Sequence, residues 1–186
     1  MKKIGMVTAR KIAVLSVLTA LSLALSLLEQ MLPLALIVPV PGIRLGLSNI
    51  VVMFALFYFG ASPAFLVLVS RIFLLLLLSG NVSSFFLSLC GGLSALSAMN
   101  FLKKWHGSVF SLFGVSVGGA CAHNFGQLAG AFILLSSDAV FLYLPALLFA
   151  GAATGLLTAY ITSLLFKPLE RSNILSGLRR DFPDKR

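Results

Sequence analysis

From Pro63 to Ser79 the chain reads PAFLVLVSRIFLLLLLS, an apolar run interrupted near its middle by a single guanidinium, Arg71. A stretch of this kind approaches the ~20 residues that an α-helix needs to cross ~30 Å of hydrocarbon. Inside a bilayer the backbone has no water to bond, so a spanning segment must be a helix or part of a closed barrel. The alternating pattern of barrel strands is absent. Hydrophobic residues make up 59% of the chain and charged residues 10%, with a mean hydropathy of +1.06, which excludes a soluble globular domain. The sequence predicts an all-α polytopic membrane protein.

Spans are predicted near 12–28, 45–60, 63–79, 84–102, 109–135 and 139–166. The net charge of +9 would suit a nucleic-acid binder, but its distribution follows the membrane instead. With the N-terminus inside, Lys2, Lys3, Arg10, Lys11, Lys103, Lys104, Lys167, Arg171, Arg179, Arg180, Lys185 and Arg186 share one side. Arg44 alone falls on the other side, a strong positive-inside asymmetry that places both termini in the cytoplasm. These charges set topology and contact anionic headgroups. The reading is one six-helix transmembrane domain, residues 1–166, followed by a solvated cytoplasmic tail, 167–186. The first basic and apolar stretch resembles a signal peptide, yet no small-x-small cleavage site follows it, so it reads as a retained helix.

Residues 29–44, EQMLPLALIVPVPGIR, hold Pro33, Pro39, Pro41 and Gly42, which forbid a straight helix. They read either as an outer loop inserted over a cavity or as a linker lying on the lipid. The other connections are short, which predicts that sequential helices pack as antiparallel neighbours. Small residues recur at helical spacing in three spans: Ser16, Ala20 and Ala24; Gly118, Ala122, Gly126 and Gly130; Gly151, Gly155 and Ala159. Such stripes let helix backbones approach closely. Packing inside the bundle is the default for all three, and a stripe left on the outside would dock another membrane subunit.

A guanidinium at mid-bilayer costs roughly 2.5–3.5 kcal/mol on insertion scales. Arg71 is therefore either a packing device bonded to buried polar groups or a contact for an anion, a substrate or a proton. Polar residues at similar depth accompany it. His123 and Gln127 share one face of the fifth span, four residues apart, and Asn124 flanks them. Asn49 lies in the outer third of the second span, Ser88 in the outer part of the fourth, and Arg44 at the outer mouth. Two readings stand: a net-cationic, donor-rich cavity reached from outside, or a buried interhelical hydrogen-bond network. Only Glu29, Asp138, Glu170, Asp181 and Asp184 are acidic, and all are placed outside the spans. The sequence thus offers no intramembrane carboxylate relay, no paired acids for glycoside chemistry and no aspartate-rich motif for magnesium diphosphate. Phosphate-binding glycine loops are missing as well. Cys90 and Cys121 fall inside spans without disulfide or metal-ligand spacing. The chain reads as non-enzymatic, without cofactor or metal.

The stretches PVPGIRLGLSNIV (39–51), RIFLLLLLSGN (71–81), SLCGGLSALSAM (88–99) and GVSVGGACAHNFGQLAGA (114–131) resemble a bacterial family called heptaprenyl diphosphate synthase component I, also labelled Gx transporter. The resemblance extends to about residue 166. The first label implies an accessory to polyprenyl diphosphate or quinone synthesis, since this chain lacks the acidic motifs of a prenyl synthase. A component of an envelope flavin or quinone redox system is a further alternative. The second label is similar to the substrate-binding (S) subunits of energy-coupling-factor vitamin transporters. It implies a multi-pass subunit of the bacterial cytoplasmic membrane, with six helices, both termini inside and a gated outward site beneath the loop after the first helix. It also implies a small-residue stripe, here Ser16, Ala20 and Ala24, that docks a transmembrane coupling subunit served by ATPases. On that reading Arg44 and Arg71 attract and orient an anionic or amphipathic solute, and Asn49, Ser88, His123, Asn124 and Gln127 complete its site.

Overall fold

The computed structural model describes the backbone of residues 2–31 and 46–171 and the side chains of 9–31 and 46–164. Over these residues the protein is all-helical: α1 Lys2–Gln30, α2 Asn49–Phe59, α3 Ala61–Ser79, α4 Val82–Lys103, α5 Leu112–Leu135 and α6 Leu144–Arg171. A 3₁₀ turn, Asp138–Tyr143, leads into α6. Four helical stretches are long and apolar enough to cross a membrane: Ala9–Gln30, Ala61–Ser79, Val82–Lys103 and Asp138–Leu164. α5 has 24 residues, a spanning length whose apolar character is diluted by glycines and by His123, Asn124 and Gln127. The protein is a multi-pass helical membrane bundle.

Local signals account for the ends of these helices. Asn81 caps α4, its side chain accepting from the Ser84 amide at 2.8 Å, and Ser111 caps α5 through the Gly114 amide. Gly80 closes α3 in the left-handed conformation, φ 63°, donating its amide to Leu76 O. Between α4 and α5 a tight turn centred on Gly107, φ 88°, carries the exposed Lys104 and Trp105.

The second predicted span, 45–60, is corrected. α2 has only 11 residues, about 16 Å of helix, because it starts at Asn49, after a turn from Gly46, rather than at residue 45. It is also the most enclosed helix of the bundle. Ile50, Val51, Val52, Met53, Ala55, Leu56 and Phe59 are all buried, and α2 touches α1, α3, α4 and α6. A helix that is apolar all round belongs inside, away from both lipid and water. The helices joined by short connections pack on one another in sequence, as expected, whereas α1, which the longer 29–44 segment separates from α2, packs more extensively on α3 than on α2.

The remaining helices form a wall around α2, with α4 against α5 and α5 against α6 as the largest contacts. Glycines set those two distances. A methyl group on Gly126 would stand 2.7 Å from the Cys90 carbonyl oxygen, and one on Gly155 would stand 2.7 Å from the Val117 Cα. The stripes of α5 and α6 are thus internal, as predicted. That of α1 is not: Ser16, Ala20 and Ala24 are exposed, while Leu18, Thr19, Ser22, Ser26 and Glu29 turn inward. One further expectation is overturned. Glu29 lies in the last turn of α1 and is 1% exposed, so a carboxylate does sit inside a candidate span. The helical backbone of α6 runs to Arg171.

Candidate functional site

The buried start of α2 collects side chains from three other helices. Its first turn, Gly46 to Asn49, is closed by short backbone bonds, Asn49 N to Gly46 O at 2.9 Å and Ile50 N to Leu47 O at 3.1 Å. From α1, the Glu29 carboxylate accepts the Gly46 amide, and Ser22 Oγ donates to the Ser48 carbonyl at 3.3 Å. From α3, Arg71 Nη1 donates to Ser26 Oγ at 2.9 Å and also to Ser48 Oγ. From α5, His123 Nδ1 meets Asn49 Nδ2 at 3.3 Å. With the amide nitrogen as donor, Nδ1 is the acceptor and the ring proton resides on Nε2.

These groups share one depth because the helices start from a common level at the basic end. Counting from Phe59, Ala61 and Leu112 at 1.5 Å per residue puts Asn49, Arg71 and His123 all roughly 15–17 Å inward. The turn that opens α2 therefore sits near the middle of the bundle. A half-length helix with its N-terminus at mid-membrane presents the positive end of its dipole to whatever occupies that point. Glu29 at 1% and Arg71 at 2% exposure are removed from water, and charges so placed must be compensated by partners. The hydrogen bonds of the α2 turn supply part of that compensation.

Gly46 and Gly91 hold the His123 ring between them. Gly46 has φ 84°, a left-handed conformation suited to glycine, and a methyl group there would meet Asn49 Nδ2 at 2.9 Å and His123 Cδ2 at 3.1 Å. On the opposite side a methyl group on Gly91 would meet Gln127 Cγ at 2.6 Å and His123 Cε1 at 3.0 Å. His123 and Gln127 thus share the face turned to α4, as their spacing predicted, and the His123 ring also reaches the start of α2. Asn124 does not join them. It points to α6, where Nδ2 donates to the Leu147 carbonyl across the space left by Gly151. Ser88 is 2% exposed on the same side of α4 as Gly91, and its hydroxyl has no hydrogen-bond partner among the described residues. The Asn49 carbonyl oxygen is likewise without one. Arg44 and most of the 29–44 segment lie outside the described residues. Among the described residues the cluster holds one guanidinium, Arg71, and one carboxylate, Glu29, both bonded to the turn that opens α2.

Residues 18–165 match the family described as heptaprenyl diphosphate synthase component I. The chain belongs to this family. No curated protein and no solved structure matches it. The matched region contains all six helices in whole or part and every member of the buried cluster, so the cluster belongs to the body shared with the family rather than to an appendage.

Sequence reasoning missed Glu29, Ser22, Ser26 and Ser48. A signal was available for the first three: Thr19, Ser22, Ser26 and Glu29 recur at alternating three- and four-residue spacing, one continuous helix face. That face meets Arg71. Among the described residues no group of three or more His, Cys, Asp or Glu is arranged to hold a metal ion, and Cys90 and Cys121 are free thiols.

Proposed function

We propose that the protein is a non-catalytic membrane transport subunit that binds a small anionic or amphipathic solute at the buried start of α2 and passes it across the bacterial cytoplasmic membrane. The observation that carries this reading is the half-length helix itself. A chain that needed only a stable bundle would run α2 through the full bilayer and leave the centre apolar. Here the α2 turn instead brings backbone amides, Arg71, Asn49 and His123 to one point at mid-depth. Discontinuous helices with polar termini at the midplane are the usual means by which transporters hold a solute. Ser88 offers an unpartnered hydroxyl on α4, and Arg44 and Gln127 belong to the proposed site as its mouth and flank, with Asn124 left to the scaffold.

Energy would come from a coupling subunit with ATPases. Ser16, Ala20 and Ala24 lie on the outer face of α1, beside a groove of about 570 Å³ between α1 and α3 lined by Leu15, Thr19, Leu66 and Ser70 among others. A small-residue face turned to lipid admits a partner helix at close range.

The family description favours a second reading, an accessory that presents a prenyl diphosphate to a separate soluble synthase. A lateral groove of about 460 Å³ between α3 and α4, with Ser62, Ser97 and Asn100 along Phe65, Leu66 and Leu96, has the amphipathic lining such a lipid requires. Native mass spectrometry of the protein gently extracted from its own host separates the two. A retained water-soluble metabolite, lost on Arg71→Gln and on His123→Ala, supports transport. A retained prenyl diphosphate or co-purifying synthase, unaffected by those substitutions, refutes it.

A further inference from the structure

We infer that Glu29 is a tethered occupant of an oxyanion subsite, and that an incoming carboxylate or phosphate displaces it from the start of α2. The inference rests on the solute-binding reading above and adds a ligand class and a gating residue to it. Three observations lead to it. First, the Gly46 amide, which the Glu29 carboxylate accepts, opens the turn into a half-length helix whose dipole favours negative charge. Second, the Arg71 guanidinium reaches that turn at Ser48, two residues from the Gly46 amide, so a fixed cation and a backbone donor serve the same turn. Third, Asn49, 6% exposed and next to Gly46, has a carbonyl oxygen without a partner among the described residues. A carboxylate cannot satisfy that acceptor, because it has no proton to donate. An oxyanion that also bears an O–H or N–H can: its charge replaces that of Glu29, and its donor takes up the acceptor that Glu29 leaves unused. Hydrogen phosphate, a hydroxy acid and an amino acid all have this chemistry.

The position of Glu29 gives the displacement a consequence. It stands at the end of α1, and with Ser22 and Ser26 it ties α1 to the start of α2. Removing it from the Gly46 amide releases one of those ties, so occupancy of the site and the separation of α1 from α2 are linked. Glu29 also sets affinity, since every oxyanion must first compete with an internal one held at high effective concentration.

The test uses the full chain in nanodiscs, titrated with sodium phosphate and with sodium acetate at ionic strength held constant by sodium chloride. Binding is read from the thermal unfolding midpoint. Glu29→Gln keeps an acceptor for the Gly46 amide and removes the competing charge, so phosphate should bind it at least tenfold more tightly than the wild type. Acetate, an oxyanion without a donor at neutral pH, should gain less. Equal or weaker phosphate binding by Glu29→Gln, or no phosphate-dependent shift in either protein, overturns the inference. Should Glu29→Gln not fold, Glu29→Asp, whose carboxylate is withdrawn by one methylene, replaces it; a gain of under threefold there overturns the inference equally. The solute-binding reading fails separately: a metabolite retained in native mass spectra and lost on Arg71→Gln upholds it even where Glu29→Gln leaves phosphate binding unchanged.

Discussion

Gly118 and Gly126 lie two turns apart on the same stripe of α5, face the same neighbour, α4, and permit a test of whether glycine here serves close packing or only helix flexibility. Alanine at either position adds one methyl group and gains the same intrinsic helix propensity, about 1 kcal/mol, so that contribution cancels between the two variants. Their surroundings differ. At Gly118 the new methyl meets the far methyl of Leu102, and the next nearest atom, Leu102 Cγ, lies 3.9 Å away. A rotamer change in Leu102 clears it. At Gly126 the methyl meets Ser94 Oγ, Ser94 Cβ at 2.8 Å and the Cys90 carbonyl oxygen at 2.7 Å. The carbonyl belongs to the α4 backbone and moves only if the helix moves. Overpacking of this kind costs about 1–3 kcal/mol. Gly126→Ala should therefore be less stable than Gly118→Ala by about 1–3 kcal/mol, measured as unfolding by denaturing detergent in mixed micelles. Pairing Gly126→Ala with Ser94→Gly should recover only part of the loss, because the Cys90 carbonyl stays in place. Equal stability of the two single variants, or full recovery in the double variant, would refute the argument that backbone contact sets the α4–α5 distance.

Other substitutions separate scaffold from site. Arg71→Met removes two hydrogen bonds from a charged donor and should lower stability by about 2–3 kcal/mol while abolishing solute retention, both read on the same nanodisc sample. Asn124→Ala removes the bond to the Leu147 carbonyl and should cost about 1–2 kcal/mol with solute retention intact. Loss of retention in a folded Asn124→Ala protein would place Asn124 in the site after all. Lys103 Nζ donates to the Leu56 carbonyl at 2.8 Å and stands 5.7 Å from the Phe57 ring centre. Lys103→Met should accelerate amide exchange at the C-terminal end of α2 and leave exchange in α5 unchanged. Ala20→Leu on the exposed face of α1 should change stability by no more than about 0.5 kcal/mol and eliminate co-purification of any coupling subunit.

What could be read from the sequence follows from how each feature is encoded. Helix number and approximate limits were legible because hydrocarbon thickness fixes the length of an apolar run, and the pairing of His123 with Gln127 was legible because i and i+4 share a face whatever the helix packs against. Rotation about each helix axis was not. Ser16, Ala20 and Ala24 could equally have faced in or out, and only packing against α3 and α2 turns Thr19, Ser22, Ser26 and Glu29 inward. Asn124 shows the same limit at finer scale, one residue from His123 and committed to a different neighbour. The length of α2 escaped for a further reason. LGLSNIVVMFALFYF is apolar enough to read as one span, and what stops the helix at Ser48 is tertiary: Arg71 and Ser22 bond the turn there, and Glu29 takes the Gly46 amide. Glu29 itself was misplaced because a lone acid beside a proline-rich stretch reads as loop. Its burial makes sense only once Arg71 and the start of α2 are seen at the same depth. The features hidden from sequence are thus the ones that assemble the polar centre, because that centre exists only where four helices meet.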